Sequence, residues 1–401
     1  MLRSPARRFL WQYFLYIMDN AHLGRDTVND PDLIGLQNPF RTHIPQMAMS
    51  HNALRAAILC FTALQYRTLE SSYEQEDLRR LTEREASISL TAQVANSDEV
   101  SSDLPAVAAA VFLHIFHGHN SKLQAAISLA IRYLSRRPTR RPPHGSAFQM
   151  VFAFLRWAVI SNMCSLDRTG DTRNQIILSE LQLTDEEVSR NFSPLFRGWI
   201  VHPIYEFSSL LVNPLLTVSA LLQEQQRQSV DLGELGNADR VYDAKVNDVE
   251  EMILVARDMD GCKIDAGTPD STGLLALNES MYAAAFLLVY ARLRKMPSTA
   301  SIIRRFVTTI TTEIAKIDPN SRVYECRFFP LFIAGCEAVD QDNRRSVEAL
   351  LREPLRALTY HRGDMVSALA AIWQIRDERP GEQWPEWLYS LSAEHRIKNL
   401  F

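Results

Sequence analysis

Apolar residues recur along the chain at intervals of three and four, and this helical spacing sets the elements it predicts. Residues 9–18 form one short helix ending near Asp19-Asn20, its aromatics packing on the succeeding elements. Residues 24–45, rich in Asp, Asn, Pro and Thr, read as an irregular connection. From Ser50 the pattern becomes amphipathic, with Ser50 or Asn52 as N-cap and Leu54, Ile58, Phe61, Leu64 and Leu69 on one face. Helices are expected over 73–94, from Asp103-Leu104-Pro105 to Gly118, and over 122–134, with a polar break at 96–103. Residues 147–166 are apolar nearly all round and so belong to an interior helix. Thr184 and Glu187 have the spacing of a capped helix start.

Pro203 and Pro214 should break the apolar stretch 199–222 into two helices or kink it. Residues 239–259 form a helix with Val241, Val249, Met252, Ile253 and Ala256 on one side. The loop 261–273 comes next; its glycines do not have the spacing of a phosphate-binding motif.

The C-terminal block has the strongest pattern. Asn278 can cap a helix through Tyr282, Ala285, Phe286, Val289 and Leu293; Pro297 ends it, and Ser298 can start the next, with Ile302, Phe306, Ile310, Ile314 and Ile317. After a turn at Asp318-Pro319-Asn320 comes the apolar run 328–339, a central packing helix with Pro330 in its first turn. Its small residues Ala334, Gly335, Cys336 and Ala338 allow neighbouring helices to approach closely. A helix with Val347, Leu350, Leu351, Leu355 and Leu358 succeeds it, and then one over 365–375 with Leu369, Ile372 and Trp373. Successive helices with short connectors and no comparable strand pattern predict an all-α fold, a large multi-helix bundle or array.

Composition agrees with this picture. Only 14 glycines and 18 prolines occur in 401 residues, too few for a loop-rich or β-sandwich protein. Hydrophobic residues at 46% and charged residues at 22% give the balance of a globular protein, and no uncharged apolar run is long enough for a bilayer. A net charge of -4 supplies no global field for nucleic acid. The five cysteines, Cys60, Cys164, Cys262, Cys326 and Cys336, are scattered without Cys-x-x-Cys spacing, a pattern that fits a reducing compartment. The basic residues Arg3, Arg7 and Arg8 precede an aromatic run with no cleavage site, which favours a helix over a signal peptide.

Several features invite a chemical reading. Arg136, Arg137, Arg140 and Arg141, separated by prolines, display a basic loop suited to nuclear localisation or to an acidic partner; a solvated connector is the plainer reading. His114 and His117 share a helical face with His119 just beyond, but the glutamate and four-residue spacing of zinc hydrolases are missing, and a structural role is preferred. Cys336 beside Glu337 points elsewhere on a helix and sits in apolar surroundings that disfavour a thiolate, so packing explains it better than nucleophilic chemistry. Glu337, leaving a buried helix, needs a cation, and Arg344 or Arg345 is within reach across the turn. No catalytic residue, cofactor site or metal site is assigned.

Residues 274–377 resemble the C-terminal part of the fungal-specific transcription factor regulatory domain. The resemblance is carried by the helix from Tyr282-Ala283-Ala284-Ala285 to Tyr290, by Phe329, Pro330, Phe332, Gly335, Cys336 and Glu337 with Arg344 after them, and by the stretch containing Ile372-Trp373. Asn38-Pro39-Phe40-Arg41, the helix over 50–63 and Phe154-Leu155-Arg156-Trp157 are similar to that domain's earlier parts. The resemblance implies a nuclear transcriptional regulator without catalysis. It would be organised as an N-terminal segment, 1–50, continuous with a helical regulatory domain, 51–401. Its partners would be other regulators or a small effector, with no membrane, and homo- or heterodimers are compatible. The family's usual DNA reader needs six closely spaced cysteines to hold two zinc ions, and these 401 residues contain no such cluster. DNA would then be reached through a missing N-terminal module or a partner; a helical adaptor that keeps the fold without the DNA link is the alternative.

Overall fold

The computed structural model describes residues 4–17, 43–69, 156, 160, 182, 207–228, 238–262, 264, 270–353 and 362–380. Among the described residues there are ten α-helices and no strand. The chain divides into two compact units, Met1–Ala158 with Leu355–Tyr360, and Val159–Pro354 with His361–Phe401. The helices expected over 73–94, 103–118 and 122–134, the Thr184 start, Pro203 and most of 147–166 lie outside the described residues.

In the first unit, α1 (Pro5–Ile17) packs against α3 (Asn52–Leu69), and α2 (His43–Ser50) precedes α3. Leu10 and Phe14, one helical turn apart, are fully buried; Leu10 lies with Leu59 and Ala63, and the Phe14 ring meets Phe61 edge-on at 6.1 Å. The start of α3 corrects the expected cap. His51 Nδ1 accepts the Leu54 N–H at 3.2 Å, whereas Ser50 donates back to the Met47 carbonyl and Asn52 accepts from Arg55. Arg55 also donates to the Ala48 and Met49 carbonyls at 3.1 and 3.2 Å, closing the C-terminal end of α2 with a cation.

In the second unit a short 3-10 turn, Ser209–Leu211, leads into α4 (Val212–Gln228). Pro214 is the third residue of α4, where a backbone N–H has no helical partner, so it neither kinks nor breaks the helix. In α5 (Ala238–Gly261), Val246, Val249, Ile253, Ala256 and Asp260 are buried at perfect three-and-four spacing. Val241, expected on that side, is 57% exposed: it lies five residues before Val246, off the stripe that the buried set defines.

Helix α6 (Ser271–Leu288) begins earlier than its pattern predicts. Asp270, in the left-handed region at φ 53°, caps it by accepting the Gly273 N–H, and Asn278 lies buried inside the helix instead of capping it. The helix runs into a π turn, Val289–Leu293, and Lys295 at φ 52° then reverses the chain. The stretch Ser271–Leu293 has the length and apolarity of a membrane span, but 78% of its window is buried in the protein, as in a core helix. Helix α7 (Ser301–Ile314) starts three residues after Ser298 and buries Ile303, Val307, Ile310 and Ile314, with Ile302 only half-buried. A 3-10 segment, Arg322–Arg327, delivers the chain into α8 (Phe328–Glu337); α9 (Gln341–Arg352) and α10 (Arg362–Glu378) complete the order. Helix α8 packs against α6, α7, α9 and α10.

Candidate functional site

The apolar run expected to be central is so: Phe329, Pro330, Phe332, Gly335, Cys336 and Glu337 are all buried in α8. Gly335 shows why a small residue stands there. A Cβ would lie 2.7 Å from Leu369 Cδ1 on α10 and 3.1 Å from Val347 on α9, so any larger residue would have to displace these side chains, and glycine lets both helices approach this closely. The Trp373 indole N–H donates to the Gly335 carbonyl at 2.8 Å, satisfying a group near the helix end.

Around the C-terminal end of α8 gathers a buried polar cluster. Glu337, 3% exposed, accepts from Arg376 Nη2 at 2.8 Å; Arg376 also donates to Ser298 Oγ, and the Arg292 guanidinium of the π turn contributes to the local positive potential. Burial pushes the Glu337 carboxyl up to about 7, against the opposing pull of Arg376 and Arg292. The expected partners are therefore corrected. Arg344 turns away from Glu337, donating Nε–H to the Ala338 carbonyl at 3.1 Å and both Nη groups to Asp377 at 2.7 and 2.8 Å. Arg345 is exposed and lies 3.5 Å from Asp342. The Arg344 hydrogen bonds hold the Asp377 carboxyl below its ordinary range. The long reach of Arg376, 39 positions beyond Glu337, brings α10 onto α8, a link that no local spacing reveals.

Arg327, which no sequence pattern marks, is fully buried at the start of α8. Its guanidinium donates to the carbonyls of Tyr324, Leu350 and Glu353 at 2.9, 3.0 and 2.8 Å and lies over the Tyr324 ring at 3.8 Å. Desolvation lowers its pKa, and the carbonyls at the end of α9 gain a charged donor. The Tyr324 hydroxyl donates to Glu353, tightening the same junction. At the other side of α6, the buried Tyr282 hydroxyl donates to Asp260 Oδ2 at 2.6 Å; burial first and Asp260 second raise the phenol well above its usual range.

These groups tie helices together; Cys336 and Glu337 are enclosed by packing and present no approach to a substrate. Among the described residues, no three His, Cys, Asp or Glu side chains converge where a metal could sit. Arg136, Arg137, Arg140, Arg141, His114, His117 and His119 lie outside the described residues.

An all-α protein whose second unit is organised round one apolar helix and a buried arginine frame is thus defined. Residues 8–397 match the fungal specific transcription factor domain, and the chain belongs to that family. The family is regulatory and not enzymatic. No curated protein and no solved structure matches the chain.

Proposed function

We propose that the protein acts in the nucleus as a regulator of transcription, working through contacts with other regulators or with a small effector. The observation that carries this reading is the family match, which extends over residues 8–397 and so takes in the described helices of both units from Arg8 onward. DNA is reached through a partner or a separate zinc-cluster module, because a net charge of -4 supplies no general attraction for phosphate. The N-terminal helix and entry segment, 1–50, is continuous with the helical regulatory domain, 51–401, and Arg136, Arg137, Arg140 and Arg141 supply the nuclear-localisation or acidic-partner patch.

A tethering experiment tests the proposal. The full chain is fused to an unrelated DNA-binding module and expressed beside a reporter that carries that module's sites. Reporter output should differ from that of the module alone, in either direction. A fusion that accumulates in the nucleus at normal abundance and leaves output unchanged contradicts the regulatory reading; cytoplasmic retention of the tagged, unfused chain instead supports the helical adaptor.

A further inference from the structure

The first unit carries an aromatic surface that its core does not consume. Along α1, Phe9, Tyr13 and Tyr16 form a continuous ladder, with Phe9 and Tyr13 stacked at 6.0 Å and Tyr13 and Tyr16 at 6.1 Å. Tyr66 of α3 closes edge-on against Phe9 and Tyr13 at 5.0 and 5.3 Å, fixing the ladder's inner side. The outer side meets solvent, since Phe9 is 44% and Tyr16 62% exposed. Next to it on α1, Arg8 and Gln12 stand one helical turn apart, both exposed.

The charge on these helices has a single sign. Arg8 is the cation exposed beside the ladder among the described residues, Arg55 being engaged at the end of α2, and helices α1, α2 and α3 contain not one Asp or Glu. A rigid aromatic ladder edged by Arg8, on described helices that carry no carboxylate, is complementary to a segment that presents acids beside large apolar side chains: the rings supply contact area at small entropic cost, and the arginine supplies orientation.

We infer that the Phe9–Tyr13–Tyr16 face of α1, with Tyr66 behind it, docks an acidic amphipathic segment of a partner protein. A lipid surface fits less well, because the fully apolar side of α1, Leu10 and Phe14, is already packed within the protein and is not available for insertion. Nucleic acid would need a longer basic track than the arginines beside this ladder provide. The inference goes beyond the regulatory reading, and its test uses purified protein, so its failure is distinct from a silent reporter.

The probe is a fluorescein-labelled synthetic peptide of about 20 residues in which Asp and Glu alternate with Leu and Phe at helical spacing. Its control has every acid replaced by Lys. Fluorescence polarisation with the full chain should show binding of the acidic peptide, weakening as salt is raised, and little binding of the control. The double variant Arg8→Glu, Tyr16→Ser should bind the acidic peptide about tenfold more weakly, with unchanged circular dichroism and thermal midpoint. Equal binding of both peptides, or wild-type affinity in the double variant, overturns the proposal. So does recruitment to phosphatidylserine vesicles without peptide binding, which would assign the face to membranes. A dimer in sedimentation velocity that the double variant dissociates would assign it to a second copy and equally overturn the inference.

Discussion

In the unit built round α8, three arginines are enclosed and aimed at carbonyls or carboxylates: Arg327 at the end of α9, Arg344 at Ala338 and Asp377, Arg376 at Glu337. On α1 in the other unit, Arg8 stands in solvent beside exposed rings. The same side chain therefore has two thermodynamic meanings. Enclosed, it has lost its water and is costly to remove, because carbonyls or a carboxylate are left without their donor. Exposed, it retains its water and contributes little to folding, leaving it available for recognition. The contrast can be attacked from either end.

Arg327→Ala should have the largest effect. It strips the donor from three carbonyls and leaves a void under the Tyr324 ring, and the unfolding free energy measured in urea should drop by about 4 kcal/mol. A loss below about 1 kcal/mol would place Arg327 with the surface arginines.

Glu337→Gln addresses the buried ion pair through pH. The folded-state pKa of about 7 lies above the usual carboxylate value of 4.5, so the native protein binds the extra proton between them. The contribution of Glu337 to stability is complete below about pH 4.5 and is lost as pH rises through 7. Urea titrations should show the wild type losing on the order of 3 kcal/mol from this group between pH 4.5 and 8, and the glutamine variant lacking that slope. A variant with the wild-type slope would remove Glu337 from the account.

Gly335→Val should cost about 2 kcal/mol, since its Cβ alone would press on Leu369 and Val347. A thermal midpoint equal to that of the wild type would mean that α9 and α10 do not close tightly on α8. The smallest effect belongs to Arg8→Glu with Tyr16→Ser, expected to move stability by no more than about 0.5 kcal/mol in the same assay.

Much of the second unit is legible in the sequence because its helices are long and strongly patterned. Pro330 at a helix start, leading an apolar run, announces α8, and the buried residues Val307, Ile310 and Ile314 repeat at helical spacing. The features that escape are decided by distance or by local geometry. The Glu337 partner lies on α10, and sequence spacing favours near neighbours such as Arg344, which has its own carbonyl and carboxylate to satisfy. Arg327 carries no pattern at all, because its carbonyl partners at the end of α9 lie 23 and 26 positions away. Asp270 as a left-handed cap and the π turn before Lys295 depend on backbone states that periodicity does not encode.

The Glu337 cluster is therefore half readable: the need for a cation is evident from a carboxylate closing an apolar helix, but its source is not. The aromatics of α1 read in the sequence as packing on the succeeding elements, and Phe9, Tyr13 and Phe14 do so against α3, while the 62% exposure of Tyr16 has no sequence signal.

The central claim, that this family member regulates transcription and reaches DNA with help, is tested most directly by formaldehyde cross-linking and chromatin immunoprecipitation of the tagged full-length protein in its own cells. The account predicts enrichment at a discrete set of promoters, lost when ultraviolet light, which links only protein in direct contact with DNA, replaces formaldehyde, if a partner supplies the DNA contact. A protein excluded from the nucleus, or present there with no promoter enriched above an untagged control, would contradict it.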